Sequence, residues 1–186
     1  MTSPSDAVVL IGPMGAGKTS VGRRVAKALG RPFFDTDIAI VREHGPIERL
    51  FREHGEDHFR ALEREAVRTG LATKGVVSVG GGAVLHPDTR ADLAAYRVVL
   101  LTVDPAVVAG RMRETTRPLL QDEDPMARWT QIYEERRPIY HQLADLTVDT
   151  SRGPLQHVVD AIVEWTRTTD RQEHPCDAPS DRREPK

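Results

Sequence analysis

Short apolar runs alternate with longer amphipathic segments along most of the chain. The apolar residues Val21, Val25 and Leu29 recur at the spacing of one helix face, and Gly30 directly afterwards is typical of a helix end. The runs expected to form strands are residues 7–11, 33–34, 75–79, 98–103 and 146–148. A strand followed by a helix, repeated along the chain, predicts a parallel α/β sheet with helices on both faces.

The apolar pattern ends before the C-terminus. Residues 168–186 contain no Val, Ile, Leu, Met or aromatic residue, but they contain three prolines and nine charged residues. Such a segment buries too little apolar surface to offset the entropy of ordering it. We therefore predict one domain over residues 5–167 and a disordered tail over residues 168–186.

The overall composition is that of one ordinary domain. Of the 186 residues, 39% are hydrophobic and 29% are charged, and the formal net charge is only −2. Because there is no general basic field, we expect no binding to nucleic acid or to an anionic membrane. Neither a signal-peptide core nor an apolar stretch of ~18 residues is present. The single cysteine, Cys176, leaves no intramolecular pair to oxidise, so we expect a cytoplasmic protein. From the composition we expect a monomer.

One segment carries a complete phosphate-binding motif. Residues 12–19 read GPMGAGKT, which matches G-x-x-x-x-G-K-[ST] between a predicted strand and a predicted helix. Its glycines allow backbone N–H groups to point at phosphate oxygens, and the helix adds its positive end. Lys18 can reach the β- and γ-phosphates, and the Thr19 hydroxyl can ligate Mg²⁺. A glycine-rich turn with a surface lysine is the alternative, but spacing and context favour a nucleoside triphosphate site. Its candidate residues are Met14, Gly15, Ala16, Gly17, Lys18 and Thr19.

Other residues decide which class of nucleotide-binding protein this is. A GTPase is expected to carry an Asn-Lys-x-Asp motif that binds guanine, and the chain contains no asparagine. Motor and transport ATPases usually need a larger domain and oligomeric or membrane partners, of which the sequence gives no sign. These observations favour a small-molecule kinase.

Two aspartates follow the second predicted strand. Asp35 and Asp37 lie at the sheet edge where open α/β folds bind their ligands. One carboxylate can face Mg²⁺, directly or through water, and the other can accept the proton of an acceptor hydroxyl. An Asx turn or N-cap at the start of the next helix is the alternative interpretation for both.

Three further features suit an acceptor site. Residues 80–82 are glycines that leave a floor where a ligand can approach the backbone, although a tight turn is the alternative. Arg60 and Glu63 share a helix face, so Glu63 can hold the guanidinium in place, with a solvated ion pair as the alternative. Residues 113–125 are typical of a mobile loop, and Arg117 within it suits phosphoryl transfer on closure.

Taken together, these motifs resemble the shikimate kinase family, whose members phosphorylate the 3-hydroxyl of shikimate with ATP and Mg²⁺ in the pathway to chorismate and the aromatic amino acids. The likeness extends over nearly the whole core, at residues 12–19, 35–37, 55–63, 80–82, 117–120, 136–140 and 149–152. It implies a P-loop NTPase fold of the nucleoside-monophosphate-kinase type. That fold has a five-stranded parallel sheet of order 2-3-1-4-5, flanked by helices, and a lid.

The resemblance also implies roles for single residues. The catalytic residues would be Asp37, Lys18 and Arg117. The shikimate-binding residues would be Asp37, Arg60, Gly81 and Arg136. Besides residues 14–19, the ATP-binding residues would be Arg117 and Arg152. The Mg²⁺ ligands would be Thr19 and Asp35. Two arginines suit this substrate because guanidinium groups bind carboxylates through paired hydrogen bonds, and shikimate has one carboxylate.

Two other functions compete with this interpretation. Another small-metabolite kinase, such as a gluconate kinase, would share the phosphate-binding loop and would also bind a carboxylate. A nucleotide-binding regulator without turnover would keep the loop but would not need Asp37. The combination of Asp-Thr-Asp, the triple glycine and Arg-Pro-Leu-Leu favours shikimate as the acceptor.

Overall fold

The computed structural model describes residues 6–112 and 124–173. Its strands are β1 Val8–Ile11, β2 Phe33–Asp35, β3 Val76–Ser78, β4 Arg97–Thr102 and β5 Leu146–Asp149. Its helices are α1 Lys18–Leu29, α2 Thr36–His44, α3 Ile47–Ala72, α4 Pro87–Leu93, α5 Pro105–Met112, α6 Pro125–Leu143 and α7 Leu155–Glu173, with a short 3-10 helix at Ala83–Leu85. Each predicted strand is found, and its ends differ from the prediction by at most one residue.

All five strands are parallel and lie in the order β2-β3-β1-β4-β5, which confirms the order that the resemblance implies. Successive residues of a strand point to opposite faces of the sheet. Val8 and Leu10 of β1 therefore pack in one apolar cluster with α1 and α7, whereas Val9 and Ile11 pack in a second cluster with α3 and α4. The sheet is buried on both faces, as expected for parallel strands joined by helices.

Helix α1 has the bounds that the apolar spacing predicts. Its C-terminal residue is followed by Gly30 in the left-handed conformation, with φ of 65°, and the Gly30 N–H donates to the carbonyls of Ala26 and Lys27. A residue with a Cβ is strained at such a positive φ, which is why glycine ends the helix there.

Helix α3 is two helical segments joined at Gly55, whose φ of 81° and ψ of 176° are not helical. The segment after this break carries Arg60 and Glu63 on neighbouring turns. A small apolar cluster of Ile40, Leu50 and Phe59 fixes α2 against α3. The break and this cluster together set the direction in which Arg60 extends.

The predicted start of the disordered tail at Thr168 is wrong, because α7 continues to Glu173. Charge pairing, rather than apolar burial, holds this last part of the helix. The Asp170 carboxylate forms ion pairs with Arg31, at 3.0 Å, and with Arg97, whose side chain is 5% exposed. The rest of the predicted tail, residues 174–186, lies outside the described residues.

Most of the predicted lid, residues 113–125, also lies outside the described residues, and so does Arg117. Of the predicted lid, the structure describes only residues 124–125. The Asp124 side chain accepts hydrogen bonds from the N–H groups of Met126 and Ala127, so it caps α6. Within residues 6–112 and 124–173, no helix is long and apolar enough to cross a membrane.

Candidate functional site

A cleft of about 610 Å³ opens beside the carboxyl ends of β1, β2 and β3. Because parallel strands end at the same edge of a sheet, the loops after them meet there. Ten residues predicted from the sequence line this cleft: Met14, Gly15, Gly17, Lys18, Thr19, Asp35, Asp37, Arg60, Gly81 and Arg136. The structure therefore brings these ten residues, which come from both the predicted nucleotide-binding set and the predicted acceptor-binding set, into one cavity.

The loop between β1 and α1 has the form of a phosphate-binding loop. Gly15 and Gly17 have φ of 81° and 83°, which L side chains rarely adopt. The Lys18 ammonium folds back over the loop and donates to the carbonyls of Gly12 and Pro13 at 2.8 and 3.0 Å. The loop thus holds one positive charge at the start of α1, where the helix dipole is also positive.

Two side chains from distant parts of the chain hold this loop from outside. The Trp129 Nε1–H of α6 donates to the carbonyl of Met14 at 3.0 Å, and the Thr150 hydroxyl after β5 donates to the carbonyl of Ala16 at 3.0 Å. Both residues are buried. Loop carbonyls held on the outer side favour N–H groups on the inner side. The sequence reasoning missed both contacts because nothing local marks them.

Asp35 combines two of the roles that the sequence left open. Its Oδ1 accepts the N–H of Ile38 at 3.1 Å, which makes Asp35 the N-cap of α2. Its Oδ2 accepts the hydroxyl of Thr19 at 2.7 Å. The cap fixes the carboxylate, and the second oxygen lies beside the start of α1. A hydroxyl and a carboxylate oxygen in contact form the kind of donor set that Mg²⁺ prefers.

The residue between the two aspartates ties α2 to the glycine loop. Thr36 is fully buried, and its hydroxyl accepts the N–H of Gly80 at 2.9 Å. The Asp37 carboxylate reaches the same loop, because a Cβ built on Gly80 would lie 2.6 Å from Asp37 Oδ1. The sequence reasoning gave Thr36 no role, although its place between two candidate aspartates was a signal.

Arg60 is held by two carboxylates. Its Nη1 donates to Glu63 at 2.6 Å and its Nη2 donates to Glu56 at 3.0 Å. Glu63 is 3% exposed, so the solvated ion pair considered above is wrong for this contact. Burial raises the pKa of Glu63, against the opposing charge of Arg60. Burial acts to lower the pKa of Arg60, but its partners outweigh this effect and raise that pKa, so the guanidinium stays charged.

Arg136 enters the cleft from α6 and, like Arg60, lies close to the glycine loop. A Cβ built on Gly81 would lie 3.8 Å from Arg136 Nη1, whereas a Cβ built on Gly82 would collide with the Arg60 guanidinium. Gly81 therefore lies near one cation and Gly82 near the other. The described part of the chain thus supplies two guanidinium groups that can face a single anion.

An apolar wall completes the cleft, and the sequence reasoning missed it. Ile38 and Val41 are 45% and 44% exposed, although both are large hydrophobic residues, and both line the cleft. They lie three residues apart on α2, so they share one helix face. Opposite polar walls, an apolar face of this kind suits a ligand with a hydrocarbon surface. The cleft is also lined by the apolar residues Pro46, Ile47, Phe51 and Phe59, and by Met14 of the phosphate-binding loop.

The predicted ATP-binding residue Arg152 does not line the cleft. Arg117 lies outside the described residues. Arg152 is exposed and lies in the loop after β5, two residues beyond Thr150, which contacts the phosphate-binding loop. Ala16 is also absent from the lining because it is fully buried, but its carbonyl belongs to that loop.

Comparisons with known proteins agree with this geometry. The chain matches the shikimate kinase family over residues 14–167. It is 50% identical over 157 residues to shikimate kinase of Thermobifida fusca (strain YX), covering 83% of this chain and 91% of that protein. The solved structure of shikimate kinase from Acinetobacter baumannii in complex with shikimate has a TM-score of 0.82 and 34% identity, covering 88% of this chain and 93% of its own. A gluconokinase from Sinorhizobium meliloti 1021 shares the fold alone, with a TM-score of 0.60 and 22% identity over 96% of this chain and 100% of its own.

Proposed function

The chain belongs to the shikimate kinase family, and from that premise we propose that its cleft transfers the γ-phosphoryl group of ATP to the 3-hydroxyl of shikimate. One observation carries the proposal. A phosphate-binding loop with Lys18, an acceptor-side carboxylate at Asp37 and the cations Arg60 and Arg136 line one cavity of about 610 Å³. A volume of this size accommodates a small metabolite beside a triphosphate.

The phosphate end of ATP binds to residues 14–19. The N–H groups of this loop and the positive end of α1 stabilise the phosphate oxygens. Lys18, which folds over the loop, exchanges its carbonyl partners for the β- and γ-phosphates. Trp129 and Thr150 keep the loop in this form by holding its outer carbonyls. Arg152, which is exposed in the loop after β5, would lie along the adenine, as the family resemblance implies.

Thr19 and Asp35 are the residues that would hold Mg²⁺. Their oxygens are 2.7 Å apart, and both are hard ligands of the kind this ion prefers. Among residues 6–112 and 124–173 no group of three or more His, Cys, Asp or Glu could form a full cage. Mg²⁺ commonly takes its other ligands from phosphates and water. When bound, Mg²⁺ would neutralise negative charge on the β- and γ-phosphates.

Asp37 accepts the proton of the 3-hydroxyl. Its carboxylate lies beside Gly80, at the floor of the cavity and on the acceptor side of the phosphate-binding loop. A carboxylate in that place orients the hydroxyl oxygen toward the γ-phosphorus and takes its proton as the new bond forms. The tether from Thr36 to Gly80 fixes the turn that carries Asp37.

The carboxylate of shikimate binds to Arg60 and Arg136. Glu63 and Glu56 hold the Arg60 guanidinium in position before the substrate arrives, which reduces the entropy lost on binding. Gly81 lets the substrate approach the backbone. Arg117 would arrive with the lid and stabilise the charge on the transferring phosphoryl group.

The apolar wall favours shikimate over gluconate. Shikimate is a cyclohexene whose ring carbons can cover Ile38 and Val41, which are almost half exposed. Gluconate is an open chain with a hydroxyl group on nearly every carbon, and it would leave that wall without an apolar partner. The wall therefore adds a preference that the two arginines alone cannot give.

The test is ADP release from ATP and Mg²⁺ in the presence of shikimate, quinate or gluconate. We expect rapid release with shikimate and little with the other two acids. Quinate keeps the ring and the carboxylate but has an additional hydroxyl and no double bond, so it probes the fit of the ring. Faster ADP release with gluconate than with shikimate would contradict the assignment of shikimate as the acceptor. ATP binding with no acceptor-dependent release would indicate a nucleotide-binding regulator.

A further inference from the structure

The hydroxyl of Tyr140 lies directly behind the glycine loop. Tyr140 belongs to α6, is 1% exposed and does not line the cleft, whereas Gly81 does. The Tyr140 hydroxyl donates to the carbonyl oxygen of Gly81 at 2.6 Å. A buried side chain therefore holds a backbone group of the floor on which the substrate rests.

This hydrogen bond fixes the orientation of one peptide group. In a trans peptide the C=O and the N–H point in opposite directions. With the Gly81 carbonyl turned toward Tyr140, the N–H of Gly82 is directed to the other side, and Gly82 lines the cleft. Glycines have no side chain to restrain their backbone, so an external contact is needed to hold one orientation.

The same hydroxyl lies beside Arg136. From the point where a Gly81 Cβ would lie, Tyr140 Oη is 3.4 Å away and Arg136 Nη1 is 3.8 Å away. Burial raises the pKa of Tyr140 to about 12, against the charge and hydrogen bond of Arg136. The hydroxyl therefore keeps its proton near neutral pH, so it can donate to Gly81 with the Arg136 guanidinium close by.

We propose that Tyr140 is a positioning residue for the acceptor: its hydroxyl holds the peptide group between Gly81 and Gly82 and the guanidinium of Arg136 in the arrangement that binds shikimate. The proposal rests on the proposed function, because it concerns the acceptor end of the same cleft. Tyr140 touches no substrate atom and acts through these two groups. It follows that loss of the hydroxyl weakens acceptor binding and leaves the nucleotide end unchanged.

The first test compares Tyr140→Phe with Tyr133→Phe. The change removes one hydroxyl in each case, and Tyr133 lies on the same helix but stacks on Trp129, with ring centroids 5.2 Å apart. For Tyr140→Phe we expect the KM for shikimate to rise about tenfold, because one hydrogen bond to a buried group is lost. Both kcat and the KM for ATP should stay nearly unchanged. Tyr133→Phe should keep the wild-type KM. An unchanged KM for shikimate, or an equal rise for ATP, would overturn the proposal.

A double-mutant cycle tests whether Tyr140 acts through Arg136. If it does, Tyr140→Phe should raise the KM for shikimate less in an Arg136→Ala background than in the wild type, because the shared interaction is already lost. Equal fold-changes in the two backgrounds would show that the two residues act independently and would overturn this step.

A measurement without turnover separates this proposal from the proposed function. In ¹⁵N-labelled wild-type protein, shikimate alone should shift the amide resonance of Gly82 strongly, and Tyr140→Phe should increase hydrogen exchange of that amide before any ligand is added. A Gly82 amide that shikimate leaves unshifted would overturn the proposal even where the variant fails to fold. Failure of the proposed function would instead appear as wild-type protein that binds shikimate but releases no ADP.

Discussion

Replacing Gly80 with alanine should remove most of the activity while leaving the fold intact. The φ angle of Gly80 is not positive, so its backbone conformation accepts a Cβ without strain. The new Cβ would lie 2.6 Å from Asp37 Oδ1 and 2.7 Å from Glu63 Oε1. Both atoms are ends of flexible side chains, so the protein relieves the contact by moving the two carboxylates rather than the sheet.

The size of the loss follows from that movement. Ordinary contact with a Cβ begins near 3.4 Å, so the Asp37 oxygen must withdraw by about 0.8 Å. A displacement of about 1 Å in a reacting group can cost on the order of a hundredfold in rate. We therefore expect kcat for Gly80→Ala to fall roughly a hundredfold, equivalent to about 2.7 kcal/mol of transition-state stabilisation. Since no apolar group is lost from the core, Tm should change by only a few degrees.

The neighbouring glycines provide matched controls. In Gly82→Ala the Cβ meets the Arg60 guanidinium, with its Cζ and Nη2 both at 2.9 Å, so the main effect should be a higher KM for shikimate. In Gly81→Ala the nearest protein atoms, the Gly12 carbonyl oxygen and Tyr140 Oη, are 3.4 Å away, so the protein itself should be the least disturbed of the three. Its effect should be a higher KM for shikimate, because the Cβ occupies the floor that the substrate approaches. Steady-state kinetics with both substrates and thermal melts measure these effects. Wild-type kcat in folded Gly80→Ala would refute the placement of Asp37.

Two further changes test contacts outside the acceptor site. Asp170→Asn should lower Tm by about 4–8 °C, because the buried Arg97 loses a charged hydrogen bond of about 2 kcal/mol. The control Asp160→Asn, on the exposed face of α7, should leave Tm unchanged. Equal Tm values for the two variants would show that Asp170 does not hold the helix. Trp129→Phe removes the donor to the Met14 carbonyl, a hydrogen bond of about 1 kcal/mol. The KM for ATP should rise several-fold, and the KM for shikimate should stay unchanged. An unaltered KM for ATP would show that Trp129 does not hold the phosphate-binding loop.

The phosphate-binding loop could be predicted because its signal is local. Eight consecutive residues carry the motif, and the strand before it and the helix after it follow from their apolar spacing. The signal for Asp35 and Asp37 is also local, because both lie at the end of a strand that the apolar run predicts. Parallel topology then brings these strand ends to one edge without further information.

The supporting contacts could not be predicted because they join distant parts of the chain. Trp129 and Met14 are 115 residues apart, and Thr36 and Gly80 are 44 apart. The start of the tail was predicted wrongly for a related reason. Apolar composition shows which segments can bury hydrophobic surface, but Asp170 is held by charges that lie elsewhere in the sequence.

Identification of the phosphorylated product tests the central claim most directly. The purified protein is incubated with ATP, Mg²⁺ and shikimate, and the product is examined by ³¹P–¹H correlation spectroscopy, with Asp37→Asn as the paired variant. The account predicts phosphate on the 3-hydroxyl of shikimate in the wild type, and at least roughly a hundredfold slower formation of the same product with Asp37→Asn, because the proton acceptor is lost. Phosphate on another hydroxyl, or wild-type rates from the variant, would contradict it.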